Sequence, residues 1–292
     1  ESLNYCTKTL RSNLRPIDRY VAANAVDPTV FSPSFFLSFR TDLKGAPGSK
    51  NTYFLATRGF FQYLVRLGCY EKNPMQDIPP YRENAYMPFI FSPGQIDGLL
   101  CAIQKKIRKT QKYFLNDLSV YIAMVLYARC GLRRTEALRL LIDHYRDKDG
   151  TIYIEKTKFN KDRLIPVPKC VVDEMNNYLA VRARFTEVES NKFLLPGRNG
   201  KGVPKSRIYK AFYPTVRDIG IDQPKRIVGN TTFNSPTVHS FRHSFAINTL
   251  KRIRDKGRST QNALPILSTY MGHTKYRYTA VYLKYIDAEH RQ

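Results

Sequence analysis

A short stretch, PPYRENAYMP at 79–88, divides this chain. Prolines stand at both ends and little apolar period runs through it, so it is read as a linker between two domains. What flanks it is helical in pattern. Upstream, Phe54, Phe61, Leu64 and Val65 recur at helical spacing between Thr52 and Leu67, and Gly68 stands where a C-terminal cap belongs. Asn73-Pro74 ends that unit. Downstream, Ser92-Pro93-Gly94-Gln95 has the form of a capping box, with proline at the first helical position and Gln95 three residues after the cap. The expected layout is a helical domain over 1–80, a linker over 81–91 and a second domain over 92–292.

Helical spacing dominates the second domain as well. One helix is expected from Asp117 to Arg129, ending near Gly131, another from Arg133 to Leu141, and a third from Val171 to Phe185. A further helix should start near Ser206, after the loop PGRNGKGVPK. Two strands are expected, TIYI at 151–154 and LIPV at 164–167, joined by the basic turn EKTKFNKDR. Residues 223–236 show no clear period and are read as a loop. No internal repeat is visible. The fold class expected is mostly α with a small β-sheet, the second domain being α+β.

Charge narrows the partner. Lys and Arg number 48 against 24 acidic residues, a formal net charge of +24. A surplus of that size sets up a field that attracts polyanions, and nucleic acid is the partner it fits. The basic residues are spread along the chain, as in KKIRK at 105–109 and KRIRDKGR at 251–258, which suits a folded protein wrapping its partner. No concentrated basic amphipathic helix, lipidation motif, signal peptide or membrane-length apolar run points to a membrane. The five cysteines, Cys6, Cys69, Cys101, Cys130 and Cys170, form no CxxC pair. They read as reduced thiols of an intracellular protein, cytoplasmic in expectation and nucleoid-associated if the partner is DNA and the source prokaryotic. The chain begins at Glu1 rather than methionine, which leaves room for a missing N-terminal piece.

Four constellations carry chemistry. In HSFRH, His239 and His243 lie four apart on one helix face, which allows a metal pair, two core histidines, or a phosphate site in which Arg242 offers a planar fork. In GLRRTE, one helix ends at a glycine and another opens at once, a place for an anion beside Arg133, with Glu136 positioned to pair with an arginine. Lys156, Lys158, Lys161 and Arg163 lie on the turn between the two strands, where they could meet a DNA backbone or simply be solvated. Finally, YMGHTKYRYTAVYLKY at 270–285 places Tyr278, Tyr282 and Tyr285 at helical spacing. Spacing alone does not choose a nucleophile among them.

The order of the four pieces does choose. GLRRTE, the strand–turn–strand lysines, HSFRH, and MGH followed nine residues later by Tyr282 together resemble the tyrosine recombinase, or phage integrase, family. The resemblance covers most of the chain. The first part is similar to the family's helical core-binding domain, down to NPMQDI before the linker, and the second to its catalytic domain. It implies that Arg133 and Arg242 are the two catalytic arginines, with Glu136 supporting the first. Lys158 matches the hairpin lysine, His239 and His273 the two histidines, and Tyr282 the nucleophile. Lys156, Lys161 and Arg163 are expected to bind DNA. Tyr278 and Tyr285, and with them Tyr270 and Tyr276, are then left as packing aromatics. The wording LPILSTYMGH is closest to members carried by transposons and other mobile elements. The segments 222–236 and 251–262 look longer than in minimal Xer-type proteins.

The mechanism implied is site-specific recombination. Tyr282 attacks a scissile phosphate, giving a 3′-phosphotyrosyl bond and a free 5′-hydroxyl. The two arginines clamp the non-bridging oxygens, Lys158 protonates the leaving oxygen, His239 helps remove the phenol proton, and His273 bonds the phosphate. The covalent bond conserves the phosphodiester energy, so neither cofactor nor metal is expected. The two domains could close round the duplex as a clamp. Four protomers are expected on DNA in a synaptic complex, with accessory DNA-binding proteins or a missing arm-binding domain left open. The alternatives are a type IB topoisomerase with the same tyrosine chemistry, or a non-catalytic DNA-binding protein of the same fold.

Overall fold

The structure, a computed structural model, describes residues 7–24, 31–155, 162–185, 191–197, 200–273 and 275–289. The chain separates into two compact units, Glu1–Ala85 and Tyr86–Gln292.

The first unit holds α1 (Thr7–Ala23), α2 (Pro33–Asp42) and α3 (Pro47–Arg66). Ser32 caps α2 by accepting from the Phe35 amide, with Pro33 at the first helical position. The core is aromatic: Phe39 stacks on Phe54 with centroids 5.6 Å apart, and Phe36 meets Phe61 edge-on at 5.1 Å. The NPMQDI turn is fastened to α3. Arg58 donates to the carbonyls of Met75 and Ile78 at 3.1 and 2.6 Å, and Asn73 returns a bond to the Arg58 carbonyl. Part of the expected linker belongs here, since Tyr81 bonds Asn51 on α3 through its amide and stacks under Arg40 of α2.

The second unit is built round α5 (Gln111–Cys130). From Ser119 to Ala128 every residue of this helix is buried, so it is apolar on all faces. Its neighbours are α4 (Pro93–Lys105), α7 (Lys169–Arg182), α8 (Lys205–Asp218) and α9 (Val238–Asp255). The capping box expected at Ser92 forms as read, Gln95 bonding back to the cap amide. The helix expected over 133–141 is shorter: α6 covers only Arg134–Ala137. Beyond it the backbone of Leu140 and Ile142 is taken by residues 192–194, through Leu194 N to Leu140 O at 2.8 Å and Ile142 N to Lys192 O at 3.0 Å. Those bonds replace the helical ones.

Two three-stranded sheets complete the described part of the unit. In the first, β2 (Tyr145–Arg146), β3 (Thr151–Ile154) and β4 (Arg163–Pro166) are antiparallel, with Ile152 opposite Ile165 and Ile154 opposite Arg163. Ile152 and Ile154 face the core while Tyr153 turns away, the alternation of a half-buried strand. The second sheet corrects the loop expected over 223–236. Here β5 (Arg226–Val228) and β6 (Thr231–Phe233) form a hairpin through Gly229-Asn230, with Gly229 at φ 54°. β1 (Ala85–Met87), inside the expected linker, is the third strand of this sheet. These strands are three residues long and β5 is exposed throughout, so no alternation marked them in the sequence. The chain closes with α10 (Thr260–Met271) and α11 (Arg277–Glu289) packed against α9.

Candidate active site

Three arginines converge on one helix end. α10 stops at Met271 because Gly272 adopts φ 63°, a left-handed cap that leaves the last carbonyls of the helix pointing outward. Arg163 Nε donates to the Tyr270 carbonyl at 2.9 Å, and Arg133 Nη2 donates to that of Gly272 at 2.6 Å. Arg242 Nη2 takes the Met271 carbonyl between them. Three successive orphan carbonyls at the negative end of the helix dipole are thus each met by a guanidinium. A Cβ on Gly272 would lie 2.8 Å from Arg163 Nη1, so the close approach itself requires glycine.

The arginines are fixed from the other side as well. α5 ends in Gly131 at φ 60°, packed so closely on Phe245 that a Cβ would fall 2.4 Å from its ring. The Gly131 carbonyl accepts Arg242 Nη1 at 2.6 Å, and two residues on the chain presents Arg133. Glu136 then binds two guanidiniums. Its oxygens take Arg133 Nη1 at 2.7 Å and the Arg163 fork at 3.1 and 2.9 Å, and one also accepts the Arg133 amide. Burial alone would raise this carboxyl, but Arg163 and Arg133 outweigh it and hold Glu136 down at about 2. Arg242, almost wholly buried, is pushed down to about 9 by burial and by Arg133, and remains a cation at neutral pH.

The first two turns of α9 and the middle of α11 supply the rest. His239 and His243, one turn apart, meet edge-on with centroids 4.6 Å apart. Tyr282 lies below the surface at 4% exposure, and its hydroxyl is 3.0 Å from His243 Nδ1. Burial pushes the phenol up to about 12, although Arg242 and Arg133 pull against it. His273 hangs from the α10 cap, and its Nδ1 is 2.8 Å from the buried Thr279 hydroxyl. Burial, then Arg242 and Arg133, push His273 down to about 3. His243 falls to about 3 through burial, His239 and Arg242. His239 is pushed down to about 4 by the packing round it and by Arg242 and Arg133, but its ring opens to solvent, which tempers that shift. All three imidazoles are neutral at pH 7.

Arg133, Glu136, His239, Arg242, His273 and Tyr282, named from three separate stretches of sequence, therefore meet in one place. Lys156, Lys158 and Lys161 lie outside the described residues. Arg163, expected on the basic turn as a DNA contact, instead turns inward and spends its fork on Glu136, because it pairs with Ile154 on the inner face of the hairpin. Tyr276 and Tyr278, expected as packing aromatics, are about half exposed, since the start of α11 stands clear of the core. Tyr270 and Tyr285 do pack, Tyr270 stacked on Phe245 at 5.4 Å and Tyr285 bonded to the Tyr86 carbonyl. The sequence offers His243 only as half of a histidine pair. Nothing in its spacing pointed to Tyr282, 39 residues away. Among the described residues, no three His, Cys, Asp or Glu side chains are placed to hold a metal ion together.

Residues 95–289 match the Phage integrase family, more than half of the chain. The integrase/recombinase y4rE of Sinorhizobium fredii is 27% identical over 97% of this chain and 87% of its own length. The tyrosine recombinase XerD of Lacticaseibacillus casei is 26% identical over 85% of this chain and 75% of its own. Two solved structures share the fold. XerH site-specific recombinase bound to a palindromic difH substrate has TM-score 0.66 at 18% identity, over 87% of this chain and 69% of that one. The Tn1549 transposon integrase in complex with transposon right end DNA has TM-score 0.64 at 17% identity, over 96% and 89%. The chain belongs to the phage integrase family, whose members compared here are tyrosine recombinases and integrases.

Proposed function

We propose that this protein is a site-specific DNA recombinase that cuts and rejoins duplex DNA through a bond from Tyr282 to a 3′-phosphate. One observation carries the reading: the Tyr282 phenol lies within the electrostatic reach of Arg242 and Arg133, each of which is gripped by backbone carbonyls on two sides or by a carbonyl and a carboxylate. Those grips orient the forks and leave further N–H groups for the non-bridging oxygens of a phosphate, where charge builds in the pentacoordinate transition state. Because the site is cationic and its histidines are neutral, it favours an anion over a neutral substrate.

In cleavage, the Tyr282 oxygen bonds to phosphorus and the bond from phosphorus to the 5′-oxygen breaks. Lys158 donates the proton that the leaving oxygen requires, and the exposed His239 and the His273 ring bond the phosphate. Rejoining runs the same steps backward, with the 5′-hydroxyl of the same or a partner strand as nucleophile. No energy source is consumed, since the phosphotyrosyl bond replaces a phosphodiester. Residues 1–80 act as a core DNA-binding domain, Lys156 and Lys161 add phosphate contacts, and four protomers assemble on two duplexes. Integration or excision of a mobile element is the biological outcome this chemistry serves. The +24 charge supplies affinity through phosphate contacts, which makes binding steeply salt-dependent.

The test is covalent trapping on a nicked suicide duplex that carries the element's end, in EDTA. The native chain should give an SDS-stable adduct and Tyr282→Phe none. An adduct that persists in Tyr282→Phe would remove Tyr282 from its role, and no adduct with either chain would remove catalysis. Relaxation of supercoiled plasmid without exchange between two duplexes would assign the topoisomerase reaction instead.

A further inference from the structure

Glu136 poses a problem for the site in which it stands. A carboxylate bonded to Arg133 alone would cancel the charge of a guanidinium that is to meet a phosphate. Arg163 removes the problem. Its fork takes both Glu136 oxygens, at 3.1 and 2.9 Å, so two guanidiniums share one carboxylate and the cluster keeps a net positive charge. The two arginines are not equivalent. The Arg163 side chain is 9% exposed against 28% for Arg133, which leaves Arg133 as the one open to a ligand. We infer that Arg163 is a positioning residue for strand cleavage. It holds and balances Glu136, so that the Arg133 fork faces the scissile phosphate as an uncancelled cation. This rests on the recombinase reading of the site.

Arg163 is fixed from three sides. Its Nε donates to the Tyr270 carbonyl at 2.9 Å, and the Tyr270 hydroxyl donates back to the Pro166 carbonyl at 3.3 Å, so β4 and α10 are joined at two points. Gly272, whose carbonyl accepts Arg133, packs on the Arg163 guanidinium. Arg133 and Arg163 thus bracket both the α10 cap and the carboxylate. Without Arg163, both Glu136 oxygens would be open to Arg133, whose planar fork matches a carboxylate in two parallel bonds. Arg133 would then be drawn into a charge-cancelled pair, with its N–H groups turned from the phosphate. Burial, then Arg133 and Arg163, hold Arg242 down, and burial with Arg242, Arg133 and Arg163 does the same to His273. Arg163 therefore adds to the positive potential that a phosphate meets.

A competing route has to be separated from this one. Arg163 opens β4, five residues after Lys158 in the sequence, so it could act through the leaving-group lysine instead. A duplex whose leaving 5′-oxygen is replaced by sulfur needs no proton to depart, and tells the two routes apart.

The experiment is single-turnover cleavage of the nicked suicide duplex at saturating protein, below the melting temperature of every chain used. The chains are native, Arg163→Met, Glu136→Gln and the double variant. Arg163→Met should cleave about 30-fold more slowly with DNA affinity unchanged, part of what deleting an oxyanion donor costs. Glu136→Gln removes the charge that draws Arg133 aside, so the double variant should cleave about tenfold faster than Arg163→Met. A residue that only stabilises the fold would lower the melting temperature and leave the rate of the folded chain alone. Arg163→Lys keeps the balancing charge without the fork, and carries the test if Arg163→Met does not fold. It should lose about fivefold, most of it regained on adding Glu136→Gln.

Native-like cleavage by Arg163→Met overturns the proposal, and so does a double variant no faster than Arg163→Met. Rescue of Arg163→Met by the sulfur duplex would place Arg163 behind Lys158 and overturn it too. No adduct with the native chain would remove the recombinase reading itself, and this role with it.

Discussion

The two halves of the site are held differently. On the arginine side, Arg133, Arg163 and Arg242 are each bonded at two points, to Glu136, to the Gly131 carbonyl and to the last three carbonyls of α10. That framework is tied into α5, the most deeply buried helix of the second unit. On the tyrosine side, α11 sinks Thr279, Tyr282 and Ile286 into the core while Tyr276, Tyr278 and Val281 stand half exposed. The Tyr282 hydroxyl is held by a hydrogen bond to His243. The arginine cluster is thus fixed by many polar bonds, and Tyr282 rides on a helix held mainly by its packing on α9 and α10. On the proposed reading, a phenol at 4% exposure must be uncovered to reach phosphorus, and the helix with fewer polar ties is the one expected to move.

The comparison is broken most severely at Arg242. Arg242→Ala removes the guanidinium and strands the Gly131 and Met271 carbonyls, so cleavage should fall by about 10³-fold. Arg242→Lys keeps the charge but cannot bridge two carbonyls, and should still lose about 10²-fold. Single-turnover rates on the suicide duplex read both. If the lysine variant were native-like, charge alone would suffice and the fixed fork would be irrelevant.

Glu136 comes next. Its folded value near 2 lies below its ordinary 4.5, so the unfolded chain binds the proton more readily. The stability it contributes is therefore complete above about pH 4.5 and is lost as pH falls toward 2. The depression corresponds to about 3 kcal/mol. Urea titrations from pH 6 to 3 should show native stability falling faster than that of Glu136→Gln, the two curves converging at the acid end. Parallel curves would mean that the carboxylate is not ionised against its arginines.

How much of this was legible beforehand depended on the length of the signal. The helices with a long apolar period, α3 and α5, and the capping box at Ser92 could be read directly, because burial of one face or all faces imposes a pattern over many residues. The β5–β6 hairpin and β1 could not, being three residues long and largely solvent-facing. Among site residues, Arg133, Glu136, Arg242, His273 and Tyr282 were found through the order of motifs, not through any local property. Arg163 was misplaced because a basic turn and an inward ion pair look alike in sequence, and only the register of Ile154 with Arg163 separates them. His243 was passed over because a contact across 39 residues leaves no local trace.

Glycine offers a smaller test. Gly272 and Gly68 both adopt left-handed backbone, at φ 63° and 76°, but a Cβ on Gly272 would meet Arg163 at 2.8 Å and one on Gly68 would meet nothing within 4 Å. Gly68→Ala should cost only the backbone penalty, about 1–2 kcal/mol. Gly272→Ala should cost that and also shift Arg163, lowering the cleavage rate as well as the melting temperature. Equal losses in the two variants, with cleavage intact in both, would show that the arginine side tolerates displacement.

The tyrosine side should yield the smallest effect on stability and the clearest on motion. Tyr282→Phe removes one hydrogen bond and leaves His243 Nδ1 without its partner, a cost of about 1 kcal/mol. That is within reach of a thermal melt even though cleavage is abolished. The same loss should appear locally in amide exchange. In the native chain, α11 amides should exchange faster than those of α9, because among its described side chains opening α11 uncovers Thr279, Tyr282 and Ile286, whereas α9 carries Val238, Phe241, Ala246, Ile247 and Leu250 in the core. Tyr282→Phe should speed exchange in α11 by about fivefold, the factor equivalent to 1 kcal/mol, and leave α9 unchanged. Equal protection of α9 and α11 in the native chain would place the two sides on the same footing. The access of Tyr282 to phosphate would then have to come from the arginine framework yielding, and not from its own helix.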